Sequence, residues 1–363
     1  MIALTAGVAL PAALLALAAL LALAALLALA ALRPSATHRS STCGALAAGV
    51  QEDGRRAFGA GLKMICMTSS SQIREPTRRP RVGRSAFLAC TPLYWGLARS
   101  TALLDIDLVQ DTPDRLTGRL LSGDLDLSSI SLVEYLRHSD DLVMLPDIAV
   151  GSDGPIQSCA IVTKVPLSAL DCRTVALATT SPTSAQMSRL LLEQHYGVTP
   201  RYVTRPPDLE VMLDSADAAV LTGDAALAAT MNRPVSPGVR AYDLGELWRR
   251  WSGLPFVLAV WAVRKETAAR RPDIVGMVHR SLLAARGLAR SESRELADRV
   301  AVWEPFTAPM LQDFFTRTLA FSLGKRERLG LSEFARRSGY VTPALPSQSV
   351  LQKAVNRQPD LDC

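Results

Sequence analysis

From Val82 onward the chain alternates short strand-like runs with helical patterns. The runs are "RVGRSAFLA", "LLDIDLV", "DLVMLPDIAV", "QSCAIVTK", "TVALAT", "RYVT", "AAVLT" and "FVLAVWAV". Parallel strands cannot be joined by a tight turn, and an intervening helix supplies the crossover they need. Strand-helix alternation of this kind therefore predicts an α/β fold with mostly parallel sheets. After Arg264 the pattern is helical almost to the end.

Two junctions carry clear helix-start chemistry. In "QDTPDRLTGRLL", Thr112 can cap a helix whose first residue is Pro113; in "ATTSPTSAQMSRLLLEQHYG", Ser181 and Pro182 do the same and Gly197 ends the helix. The second junction gathers Thr179, Thr180, Ser181, Thr183 and Ser184 at the positive end of a helix, a setting suited to a carboxylate or phosphate. N-capping alone accounts for two of these hydroxyls. A second cluster in "DLDLSSISLVEYL" places Ser128, Ser129 and Ser131 between a strand and a helix, where Ser131 either caps or contacts ligand. A third, "GSDGPIQSCAIV", sets Ser158 just after a Gly-Pro turn, with no His or Asp at a triad spacing. Asp224, after Gly223, is expected to cap a helix, and Thr91 to cap one before Pro92.

Composition narrows the chemistry. The 363 residues are 48% hydrophobic and 20% charged, enough apolar material for one large core or two modest ones. The net charge of +6 is spread among 34 acidic residues without an aromatic-basic motif, so an anionic small ligand is expected and nucleic acid is not. Cys43, Cys66, Cys90, Cys159, Cys172 and Cys363 form no CxxC pair, which reads as reduced thiols. His38, His138, His195 and His279 show no i, i+4 repeat, so no metal centre is expected.

The N-terminal region stands apart. Residues 1–32 form an apolar low-complexity segment, uncharged from Ile2 to Leu32, that is either a membrane helix or translation upstream of the true start. The basic residues that follow would leave the rest of the chain in the cytoplasm, tethered to a membrane if the segment is a helix. Residues 33–79, rich in Ser, Thr, Gly and Arg, read as a disordered linker.

Taken in order, "FLACTPLYWGL", "GDLDLSSISLVEYL", "LPDIAVGSDGPIQSC", "TSPTSAQMSRLLLEQHYGV", "DAAVLTGDAAL", "YDLGELW" and "GLPFVLAVWA" resemble the chorismate dehydratases of the futalosine-dependent menaquinone pathway. The resemblance runs from about residue 80 into the C-terminal region without large gaps. It implies a two-lobed fold like the type II periplasmic binding proteins, with a helical C-terminal region. Residues 80–162 and 258–363 would form lobe 1 and residues 163–257 lobe 2. The crossovers would lie near Ile161 to Lys164 and Phe256 to Val260. It further implies a cytoplasmic lyase without a cofactor that turns chorismate into 3-[(1-carboxyvinyl)oxy]benzoate and water, a carboxylate of the substrate serving as base. Ser158, Ser181, Thr183, Ser184 and Ser131 would then bind substrate in the cleft between lobes.

Several positions depart from the family pattern: Arg84, Ser85 and Ala86 stand where relatives carry a more apolar or His-containing run, Thr91 where they carry a hydrophobic residue, and Ser128-Ser129 where a small residue and proline are usual, but the most consequential is Ala89. Relatives carry a key asparagine where this chain has Ala89, and an alanine methyl neither donates nor accepts a hydrogen bond. Two expectations follow: a slow dehydratase, or a non-catalytic binding protein for an anionic metabolite in the same cleft.

Overall fold

The computed structural model describes residues 78–231 and 238–341. The apolar segment at 1–32 and nearly all of the linker at 33–79 lie outside the described residues. Among the described residues no helix is long and apolar enough to cross a membrane.

The first sheet starts with β1 (Arg81–Ser85), followed by helix α1 (Thr91–Arg99), β2 (Asp107–Asp111), α2 (Pro113–Leu121), β3 (Leu127–Ser131), the short α3 (Leu132–Arg137) and the long β4 (Leu142–Ser152). Strand β1 pairs parallel with both β2 and β3. The prolines at the starts of α1 and α2 sit where a missing N–H costs nothing, because the first turn of a helix has free donors anyway. Thr91 does not cap: it is itself the first helical residue, and Cys90 occupies the cap position without a side-chain bond.

The chain then passes to a second sheet made of β5 (Cys159–Thr163), β6 (Thr174–Ala178), β7 (Arg201–Arg205), β8 (Ala218–Thr222) and β9 (Arg240–Asp243). Between them run α4 (Pro182–Leu190), α5 (Leu209–Ser215) and α6 (Asp224–Met231), with α7 (Leu244–Ser252) after β9. Return to the first sheet is by β10 (Phe256–Arg264), which inserts between β3 and β4. The strand orders are β2-β1-β3-β10-β4 and β7-β6-β8-β5-β9. In each sheet the strand that enters from the other lobe, β10 or β5, is the antiparallel one.

Both crossings differ from the expected places. Cys159 to Val162, assigned to lobe 1 by the resemblance, pair with β8 and β9 in the second sheet. Phe256 and Val257, assigned to lobe 2, pair with Ser152 and Gly151 in the first. The chain crosses in the short stretches just before these strands, each carrying a glycine with positive φ and a proline: Gly154 (φ 143°) with Pro155, and Gly253 (φ 74°) with Pro255. The strands cannot bend there, because both are buried and paired on two sides, whereas Gly-Pro segments carry few ladder bonds to break.

After β10 come α8 (Lys265–Arg270), α9 (Pro272–Ser291), α10 (Ser293–Val300), α11 (Ala308–Asp313) and α12 (Lys325–Arg337). Helix α9 packs so closely on α1 that a Cβ at Gly96 would collide with the Ala285 backbone. Glycine costs about 1 kcal/mol in a helix relative to alanine, and here it allows the two backbones to touch. Helix α12 does not stay with lobe 1. Phe334 packs against Trp248 and Phe256, Arg337 stacks 3.8 Å from the Trp251 ring centroid, and its carbonyl accepts from Gln194 Nε2 at 3.1 Å. One apolar core accordingly runs from Leu116 and Ile130 through Phe256 to Leu190, Trp248 and Phe334.

Candidate functional site

The strand ends of both sheets converge on a cleft lined from both lobes. Its first-lobe wall is the turn after β1. Ser85 N–H donates to the Tyr94 hydroxyl at 3.0 Å, and Ser85 Oγ accepts from Phe87 N at 3.3 Å. Leu88–Cys90 then closes into one 3-10 turn, with Cys90 N bonded to Phe87 O. Ala89 is only 5% exposed and faces the cleft beside Ser85, Phe87 and Cys90. Burial pushes the Cys90 thiol up to about 12, so it offers no thiolate near neutrality.

Ser129, Ile130 and Ser131 line the next wall at the end of β3. Ser131 Oγ accepts from Glu134 N at 3.4 Å and so caps α3 while bordering the cleft. Both alternatives for this residue therefore hold in space: it caps, and it is within reach of a ligand.

From the second lobe come Ser158, Ser181, Thr222 and Gly223. Ser158 opens onto the cleft after Gln157, which has a left-handed φ of 58°. The Asp243 carboxylate holds that conformation, accepting from Ile156 N at 3.0 Å and Gln157 N at 2.6 Å. The same carboxylate caps α7 through Glu246 N at 2.9 Å. Burial pushes Asp243 up, while the backbone N–H groups of Glu246, Ile156, Gln157 and Gly245 pull it back. Ser158 is 2% exposed, and its Oγ has no hydrogen-bond partner among the described residues. A buried hydroxyl left alone is costly, and a polar ligand in the cleft would relieve it.

The hydroxyl cluster at the start of α4 divides. Ser181 lines the cleft and caps the helix, accepting from Ser184 N at 3.3 Å. Ser184 turns inward, its Oγ 3.2 Å from both Cys159 Sγ and Ser181 Oγ. Thr183 Oγ1 accepts from Val133 N at 3.0 Å, a bond between the lobes. Neither Thr183 nor Ser184 borders the cleft, so of the five expected binding residues the structure brings Ser158, Ser181 and Ser131 together around Ala89 and leaves these two in the packing behind. Thr180 Oγ1 is buried without a partner among the described residues, and Thr179 is exposed.

Sequence reasoning missed Phe87, Thr222 and Asp243. The spacing of Asp243 to Glu246 in "YDLGELW" signals a helix start, but nothing in it signals the reach to residues 156 and 157.

Among the described residues, no charged side chain lines the cleft. Its polar groups are neutral hydroxyls, reinforced by the N-terminus of α4, a nine-residue helix. Such a site orients an anion and stabilises developing negative charge through dipoles rather than through ion pairing.

A family model described as menaquinone biosynthesis matches residues 80–339. The chorismate dehydratase of Thermus thermophilus is 34% identical over 239 residues, covering 62% of this chain and 84% of that protein. Among solved structures, AF1704 from Archaeoglobus fulgidus superposes with a TM-score of 0.58 at 16% identity, over 72% of this chain and 96% of its own. The periplasmic aliphatic sulphonate binding protein SsuA from Escherichia coli does so with a TM-score of 0.52 at 17% identity, over 72% and 86%. These likenesses identify the two-lobed architecture as the periplasmic-binding-protein fold.

Proposed function

The chain belongs to the menaquinone-biosynthesis family that includes the chorismate dehydratases, and on that premise we propose that its cleft binds chorismate and eliminates water, releasing 3-[(1-carboxyvinyl)oxy]benzoate. The observation that carries this reading is the buried hydroxyl of Ser158, without a partner among the described residues, in a cleft that Ala89, Ser131 and Ser181 also line. A dianionic substrate supplies acceptors for that hydroxyl and for the helix start at Ser181.

The reaction asks little of the protein. A carboxylate of chorismate takes the ring proton, the C–O bond of the adjacent hydroxyl breaks, and the carboxyl passes that proton to the departing hydroxide, which leaves as water; the electrons of the broken C–H bond complete an aromatic ring, which drives the step. The chain's contribution is to hold one conformer with the carboxylate near that proton and to exclude bulk water. The apolar lining from Ile130, Val150, Leu258 and Ala259 suits the second task.

Ala89 makes the step slow. Removing a polar group aimed at the transition state costs about a hundredfold or more in rate. The same methyl favours a second reading, in which the cleft binds an anionic metabolite without turnover. Incubating the full-length protein with chorismate and following the aromatic product separates the two: product supports the dehydratase, and saturable binding without product supports the receptor.

A further inference from the structure

Asp224 begins α6, just after Gly223 at the mouth of the cleft. The position invites a capping role, yet its Oδ1 accepts from Leu88 N at 3.0 Å, in the opposite lobe. Leu88 starts the 3-10 turn that contains Ala89. The seam around this bond is tight: Gly223 has φ 72°, and a Cβ there would lie 2.5 Å from the Phe87 ring. Leu227, one turn further along α6, is buried within the first-lobe core beside Leu88, Ala89 and Cys90. Burial pushes the Asp224 carboxyl up, against the pull of Leu88 N–H. Glu304, from the first lobe, is pushed up by burial and then by the Asp224 charge. A carboxylate held in such surroundings needs a strong reason to stay, and the donor it meets among the described residues belongs to the wall of the site.

We propose that Asp224 is a positioning residue: by accepting the Leu88 N–H from across the cleft it fixes the Leu88–Cys90 turn, so that the wall at Ala89 takes its substrate-facing form only when the lobes are closed. Its importance to turnover rests on the cleft being the dehydratase site, whereas its hold on Leu88 does not. An asparagine can accept the same bond through its Oδ1; an alanine cannot.

Amide hydrogen exchange on the full-length protein tests this, with Asp224→Asn and Asp224→Ala beside the unaltered chain. Loss of one such bond raises local exchange by about tenfold. Exchange at Leu88 to Cys90 is therefore expected to accelerate in Asp224→Ala and to stay near the unaltered rate in Asp224→Asn, while β1 and β8 are unchanged. With chorismate, kcat should fall in Asp224→Ala with KM little altered, and Asp224→Asn should restore it. Unaltered exchange in Asp224→Ala, or equal acceleration in both variants, overturns the proposal. If Asp224→Ala does not fold, Gly223→Ala pushes on Phe87 at the same seam, and unchanged exchange at Leu88 in that variant overturns it as well. Failure of the unaltered protein to convert or bind chorismate would instead remove the dehydratase reading and leave the exchange result to judge Asp224 alone.

Discussion

Asp243 holds Gln157 in place: a carboxylate oxygen lies 2.6 Å from Gln157 N, and Gln157 adopts a left-handed conformation that positions Ser158 at the cleft. The carboxylate also serves Ile156 N and Glu246 N, so its loss orphans several donors at once. Asp243→Ala should cost about 3 kcal/mol of stability and abolish ligand binding. Asp243→Asn keeps an acceptor and should lose less. Thermal denaturation and chorismate titration of the two variants check both statements.

Ser158→Ala should separate affinity from stability. The hydroxyl has no partner among the described residues, so its removal leaves nothing orphaned in the free protein. Folding stability should hold or rise slightly, while chorismate affinity falls by about tenfold. Calorimetric titration beside a melting curve reads both; unchanged affinity would remove Ser158 from the site.

Thr183 and Ser184 should behave in the opposite way. Thr183→Val leaves Val133 N without its acceptor across the lobes and should destabilise by about 1–3 kcal/mol. Ser184→Ala breaks contacts to Cys159 and Ser181 rather than to ligand, so its effect should appear in the melting temperature more than in the dissociation constant.

The difference between these two pairs marks the limit of what the residues alone convey. Helix starts at Pro113 and Pro182 and the buried run of β10 are local patterns, and the structure has them where the sequence puts them. Ser181 and Ser184 are indistinguishable in composition, and only the rotation of α4 against β5 turns one to the cleft and the other to Cys159. The true crossings eluded sequence reasoning because β5 is as apolar as β10, and which sheet a buried strand joins depends on distant partners. β9 is four residues long and falls below any periodic signal. The bond from Asp224 to Leu88 joins residues 136 positions apart in sequence.

Acid should weaken the grip of α12. Glu333, bonded to Arg336 and Arg337, is held down to about 2 from an ordinary 4.5. A depressed carboxyl contributes stability that is complete above its unfolded value and is lost as pH falls from about 4.5 toward 2. Glu333→Gln should remove that part of the acid transition, at a cost below about 1 kcal/mol at neutral pH because Arg336 is largely in solvent. Melting temperatures across that pH range measure it.

The proposed dehydration in this cleft is limited by Ala89, and that limit is directly testable. Full-length protein and its Ala89→Asn variant, each incubated with chorismate, are compared by the rate at which 3-[(1-carboxyvinyl)oxy]benzoate forms. Slow formation by the unaltered protein and a rate about a hundredfold higher in the variant are expected. Saturable chorismate binding with no product from either protein would contradict this expectation.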